Sequence, residues 1–266
     1  TMRQTIKLLL LIGLAAVFML SSCSRVANAV VDGAVGGLSR AASERAANAV
    51  YKKMAPKEKL PPPATPGWNQ FMAVQAQVVF GYAFAPGGLW ISRQEYQPGE
   101  FTKFKMSDNG GDSEVIIEKA FLKKLENGNE WWRASWKDGE DTWIYEALLS
   151  PTESSLLRLR AKDAEGNEGE VPVTQQNIYM EPTELTDESI EGAKVGEETI
   201  STPAGSFDTD HIRYVAGGGG TIDWWLTPQV PGGVAKYQMV DENQETAWIV
   251  TLVDKGDNAT TILESF

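Results

Sequence analysis

The 266 residues hold one thiol and one imidazole, at Cys23 and His211. A single cysteine closes no disulfide within its chain and supplies no thiolate cage for a metal. Cys23 directly follows Leu20-Ser21-Ser22, at the end of an apolar run from Leu8 that Arg3 and Lys7 precede. A thiol placed after small residues at the end of a basic-then-apolar leader fits an acceptor for lipid, since the run is short for a membrane span. His211 lies near Asp208 and Asp210, which are the ingredients of a general base. Ser206, however, sits in a turn sequence and not in a Gly-x-Ser-x-Gly elbow. The glycines 217–220 are followed by no Lys-Ser/Thr, so they form no phosphate loop. Asp163, Glu165, Asn167, Glu168 and Glu170 carry enough oxygens for calcium but lack the Asp-x-Asp-x-Asp-Gly order, and they read as a solvated hairpin loop. Neither an enzyme, a resident metal nor a cofactor is expected.

The other chemistry is aromatic. Adjacent residues on a strand point to opposite faces, so in Trp131-Trp132 and Trp224-Trp225 only one indole of each pair faces inward. Trp132 shares its face with Ala134 and Trp136, whereas Trp131 shares one with Arg133 and Lys137, which places Trp132 and Trp136 inside. The same rule puts Trp224 inside with Ile222 and Leu226, Tyr214 with Ile212, Tyr237 with Ala235 and Met239, and Trp248 with Val250 and Leu252. Trp131 and Trp225 then need cover from a loop, a helix, a membrane or a partner. Trp132, Trp136, Tyr214, Trp224, Tyr237, Met239 and Trp248 would line a cavity for a lipid or other hydrophobic ligand. The same residues, touching one another, would equally make a filled β core.

The elements that position these residues follow from periodicity. Residues 1–22 read as a leader and 23–59 as anchor and amphipathic helix, because Ala27, Val31, Val35, Leu38, Ala42, Ala46, Ala49 and Val50 recur at helical steps over 25–54. That stripe of small residues fits docking on a membrane or protein partner, self-association, packing on the chain's own β domain, or a partly disordered tether. Residues 60–67, rich in proline, form a stiff spacer. From 68 to 266 the chain reads as one antiparallel β domain of roughly 200 residues, enough for a core without disulfides.

In this domain Met72 to Phe84 shows a two-residue period and is expected as a strand, with a helix from near Trp68 as the competing reading of its first half. Further strands are predicted over 100–106, 114–125, 130–137, 142–149, 155–162, 171–179, 197–202, 207–215, 221–227, 234–240 and 247–254. Turns such as Glu126-Asn127-Gly128-Asn129 separate them. The predicted fold class is mainly β: a curved antiparallel sheet or half-open barrel with an amphipathic helix before it.

Charge is segregated. Residues 24–59 carry seven basic against three acidic side chains, so the body from residue 60 onward holds −18 against −12 for the whole chain. Such a body is repelled by phosphate backbones, which excludes nucleic acid as a partner, while the basic segment sits where anionic head groups would be met.

The leader and Cys23 resemble the lipoprotein class of exported bacterial proteins, which implies cleavage before Cys23 and acylation there. Ser24 in place of aspartate implies outer-membrane sorting in the cell envelope, facing the periplasm or the surface. The body resembles the lipoprotein-carrier, LolA/LolB-like, half-open barrels. The resemblance rests on Pro98-Gly99-Glu100-Phe101, Glu130-Trp131-Trp132, Thr202-Pro203-Ala204-Gly205-Ser206-Phe207, Asp223-Trp224-Trp225-Leu226 with Val230-Pro231-Gly232-Gly233, and Leu252-Val253-Asp254-Lys255-Gly256-Asp257-Asn258-Ala259. It implies a strongly curved sheet around an apolar cavity, sometimes plugged by a helix, in which known carriers hold acyl chains. The expected function is a non-enzymatic, membrane-anchored lipoprotein that binds a hydrophobic ligand, and the alternative is an interaction or scaffold subunit of an envelope complex.

Overall fold

The computed structural model describes residues 65–84, 94–108, 114–173, 186–215, 220–243 and 245–266. The leader, Cys23, the 25–54 helix and residues 60–64 of the spacer lie outside these residues.

The first described element corrects the expected strand. Residues Pro66–Phe84 form a helix, α1. Thr65 caps it, its Oγ1 accepting from the Trp68 amide at 3.4 Å, and Pro66 occupies the first turn where a missing N–H costs nothing. Its buried residues are Trp68, Met72, Gln75, Ala76, Val79, Phe80 and Phe84, at steps of three and four. Met72, Ala76, Phe80 and Phe84 satisfy a period of two as well as one of 3.6, which is why alternation misleads here. Val74, which a strand would have buried beside them, is 42% exposed.

Eleven strands follow among the described residues. They are β1 (Phe101–Asp108), β2 (Glu114–Lys124), β3 (Glu130–Asp138), β4 (Asp141–Ser150), β5 (Ser155–Lys162) and β6 (Glu168–Val171), then β7 (Lys194–Thr202), β8 (Gly205–Val215), β9 (Thr221–Leu226), β10 (Val234–Val240) and β11 (Thr246–Gly256). β6 and β7 each start three residues before the predicted bounds. β6 begins at Glu168, pairs with β5 through Lys162↔Glu168 and meets the predicted 171–179 strand at Val171, with residues 174–179 outside the described set, and β7 begins at Lys194 against a predicted 197. A short helix, α2 (Asp187–Ala193), was not foreseen; Thr186 caps it by accepting from the Ser189 amide.

All strands join one sheet in the order β6-β5-β4-β3-β2-β1-β11-β10-β9-β8-β7. Each half is a hairpin meander, and the antiparallel pairing of β1 with β11 welds the two. β6 and β7 stay at the edges, so the barrel is unclosed, yet the sheet curls until β7 touches β11 across three intervening strands. Register shifts at Lys103/Phe104, Phe121/Lys123 and Val234/Lys236 accompany this bending.

The inner face holds the main core. α1 packs on β2, β3 and β6, with Trp68, Met72 and Val79 fully buried against Trp136, Trp143 and Tyr145. Gln75 is buried within the helix seam because the Tyr145 hydroxyl donates to its Oε1.

Candidate functional site

Strand register decides where the seven aromatic-site residues go. Two residues directly opposite each other share a face, so one row runs Ile212–Trp224–Tyr237–Val250–Met106 across β8, β9, β10, β11 and β1. The neighbouring row runs Tyr214–Ile222–Met239–Trp248. On the other wing Trp132 pairs with Phe121 and Trp136 with Ile117. All seven face inward as expected, but they form two groups. Trp132 and Trp136 lie beneath α1, where Phe84 meets Trp132 edge-on at 5.1 Å and Tyr82 meets Trp136 at 5.4 Å. Tyr214, Trp224, Tyr237, Met239 and Trp248 form the second group on β8 to β11.

Burial separates them again. Trp132, Trp136, Trp224 and Tyr237 are core residues. Tyr214, Met239 and Trp248 are half-buried and pack on the edge of that core. Tyr214 also stands edge-on to Trp224 at 5.7 Å, and its hydroxyl donates to the Ser189 carbonyl of α2. Burial pushes the Tyr214 phenol above its ordinary range, so it remains a neutral donor.

A charged residue that sequence patterning passes over sits on the same face. Lys119 lies on β2 opposite Thr102 and Ala134. Its ammonium is 4.0 Å from the ring centre of Phe84, 4.7 Å from Tyr96 and 5.0 Å from Trp132. Desolvation lowers its pKa from the usual lysine range to about 7, against the opposing pull of Glu130. Tyr96 is positioned by its hydroxyl, 2.6 Å from Thr102 Oγ1, and by the absence of a side chain at Gly232, where a Cβ would come within 2.8 Å of the ring. Gly232 has φ +77, which glycine tolerates. The turn glycines thus hold one wall of the cage, a role that Val230-Pro231-Gly232-Gly233 shows in sequence only as a turn.

The outer face covers its own tryptophans. Trp131 packs with Ala120, Leu122, Leu148 and Ala259 and lies 5.8 Å from Phe266, so the segment after β11 supplies the cover. Glu146 fastens that segment: fully buried, it accepts from Thr261 Oγ1 at 2.7 Å, the Ile262 amide at 2.6 Å, the Leu263 amide and Ser265 Oγ. Trp225 stacks on His211 at 4.6 Å, donates to Glu198 at 2.6 Å and lies under the Lys236 ammonium at 4.2 Å. Neither indole waits for a partner.

His211 is held in this arrangement. Its Nε2 is 2.5 Å from Asp223 Oδ1, an oxygen that also accepts from Arg213 Nε at 2.7 Å, and Asp223 is fully buried. Asp208 instead accepts from Thr199, and Asp210 pairs with Lys194, so the sequence neighbours of His211 point elsewhere. Asp163 is likewise engaged: Oδ1 takes the Glu165 and Asn167 amides and Oδ2 takes Trp68 Nε1. Among the described residues no group of three or more His, Cys, Asp or Glu side chains is arranged to hold a metal ion.

No family model and no curated protein matches the chain. Among solved structures it is similar to a protein described as exported, with a YmcC-like fold, from Bacteroides fragilis, at 14% identity and TM-score 0.36, covering 62% of this chain and 99% of that one. A protein described as a lipoprotein, from Parabacteroides distasonis, is similar at 11% identity and TM-score 0.32, covering 62% of this chain and 98% of that one. MucB of Pseudomonas aeruginosa, in its complex with MucA, is similar at 10% identity and TM-score 0.38, covering 61% of this chain and 52% of that one.

Proposed function

We propose that this chain is a non-enzymatic cell-envelope lipoprotein, anchored through Cys23, whose half-open sheet binds an apolar ligand against Tyr214, Met239 and Trp248. The observation that carries this reading is the step in burial between neighbouring rows of one face. Ile212, Trp224, Tyr237 and Val250 are at most 4% exposed, whereas in the next row Tyr214, Met239 and Trp248 keep part of their surface open around Ile222, which is itself 4% exposed. A ligand laid on that row removes apolar area from water at about 25 cal/mol per Å², and it does so without disturbing α1. The ligand wall is therefore three residues wide, and the remaining four of the aromatic set build the core that supports it.

Titration of the purified chain with the uncharged apolar probe N-phenyl-1-naphthylamine tests this. Binding should be saturable, and Met239→Asp should weaken it at least tenfold while leaving circular dichroism and melting unchanged. Absence of saturable binding, or equal binding to the variant, would overturn the reading.

A protein-interaction role has its own observation. β7 forms an edge of the sheet over nine residues, and Val195, Glu197, Glu198, Thr199 and Ser201 are exposed along it. An edge of this kind accepts an extended peptide by strand addition. If the probe does not bind, this second reading takes precedence.

A further inference from the structure

The geometry points to Lys119 as the anchor for an anionic head group, so that the ligand of the inner face is an amphiphile with a carboxylate or phosphate end. This rests on the apolar-ligand reading above and gives that ligand its chemical class.

An ammonium has three N–H donors and no acceptor. Among the described residues the Lys119 amine has no hydrogen-bond acceptor and no salt bridge; what surrounds it is the rings of Phe84, Tyr96 and Trp132. Ring faces attract a cation but accept no strong hydrogen bond, so the three donors remain for something that does. Among the described residues no counter-ion stands in the cage. Tyr96 stays a neutral phenol, because burial raises its pKa. Glu130, the carboxylate that acts on Lys119, is already engaged by Trp132 Nε1 at 3.0 Å and by Lys124 Nζ at 3.2 Å. A desolvated amine beside neutral rings is where an incoming anion gains most, since it restores the charge that burial suppresses.

Position along the sheet supports an amphiphile over a free ion. Lys119 is level with Thr102 of β1, and Trp248 is level with Asp108 of the same strand. Six residues of strand separate them, about 20 Å at roughly 3.3 Å per residue. Between these levels the same face of β1 carries Phe104, which is half-buried, and Met106, which is 4% exposed and part of the core. An alkyl chain with its head on Lys119 therefore meets Phe104 first, and to reach the Tyr214–Met239–Trp248 row it must displace Met106 from the core row.

The test is competition against the naphthylamine probe on the full chain, using dodecanoate, dodecanol, acetate and inorganic phosphate at pH 6 and pH 8.5. Dodecanoate should displace the probe at least tenfold better than dodecanol at pH 6, and the advantage should shrink at pH 8.5 as Lys119 loses its proton. Lys119→Met should abolish the advantage and leave dodecanol unchanged, whereas Lys119→Arg should retain it at both pH values. Equal displacement by acid and alcohol in wild type, unchanged by Lys119→Met, would assign Lys119 to clamping Phe84 alone and overturn the proposal while the apolar site stands. Competition by acetate or phosphate as strong as by dodecanoate would make this a site for free anions and overturn the amphiphile. If neither dodecyl compound displaces a bound probe, the amphiphile proposal is overturned while the apolar site stands; if the probe itself does not bind, the apolar-ligand reading fails and the proposal with it.

Discussion

The indole nitrogen of Trp68 donates to Oδ2 of Asp163 at 2.9 Å, tying the first turn of α1 to the β5–β6 hairpin 95 residues away. Both residues are buried, and the same carboxylate caps the hairpin turn by accepting the Glu165 and Asn167 amides. The helix is therefore fixed to the sheet at its start by a polar contact and along its length by apolar packing.

Asp163→Ala should cost about 3 kcal/mol, because it orphans a buried indole N–H and two turn amides together. Trp68→Phe keeps most of the ring and should cost about 1 kcal/mol less than that. Urea unfolding followed by circular dichroism measures both, and equal, negligible losses would show that α1 is held by packing alone.

Glu146 organises the segment after β11. Glu146→Ala should release residues 261–265, cost about 3 kcal/mol, and shift tryptophan emission to the red as Trp131 loses its cover. Hydrogen exchange at the Ile262 and Leu263 amides should accelerate in the variant, since both donate to this carboxylate.

Stability should depend on pH through Lys119. Its folded pKa, about 7, lies below the 10.5 of a free lysine, so the unfolded chain binds more protons between these values and stability rises with pH across that window. Tyr96 acts oppositely above pH 10, where the unfolded phenol ionises and the buried one does not. The urea midpoint should climb from pH 7 to about 10 and fall beyond it. Lys119→Met should flatten the climb, and a slope that persists in the variant would assign it to other groups.

The strand pattern was legible because one face is buried and the turns carry glycine: ten of the eleven strands fall on segments that alternation and turn chemistry mark out. The inward direction of Trp132 and Trp224 followed from the residues two positions away, and the register bears it out. Besides the short helix α2, three features were not legible. Met72, Ala76, Phe80 and Phe84 fit both periods, and only the burial of Trp68, Gln75 and Val79 separates helix from strand. Lys119 is a polar residue at an inward position between Ile117 and Phe121, the one signal that could have found it, and charge alone argued against placing it inside. The cover of Trp131 comes from residues more than 120 positions later, a contact that no local pattern encodes.

Anchoring makes a separate prediction. Cys23→Ser should leave an unprocessed or soluble form, because the chain has no second cysteine to accept lipid. Unchanged membrane fractionation, with no acyl mass on the wild-type chain, would remove the anchor from the account.

Two tryptophans should respond differently to truncation. Trp224 is fully buried, so Trp224→Ala should cost about 3 to 5 kcal/mol, whereas half-buried Trp248→Ala should cost noticeably less. Equal losses in thermal unfolding would mean that the Trp248 row is as tightly filled as the core.

The most direct measurement is quenching of tryptophan emission by a fatty acid brominated along its chain, compared across Trp248→Phe and Trp225→Phe. A ligand on the inner face lies against Trp248, so Trp248→Phe should remove most of the quenching and Trp225→Phe, on the outer face, should leave it intact. Quenching that survives in Trp248→Phe and disappears in Trp225→Phe, or no quenching in the wild-type chain, would contradict an inner-face site.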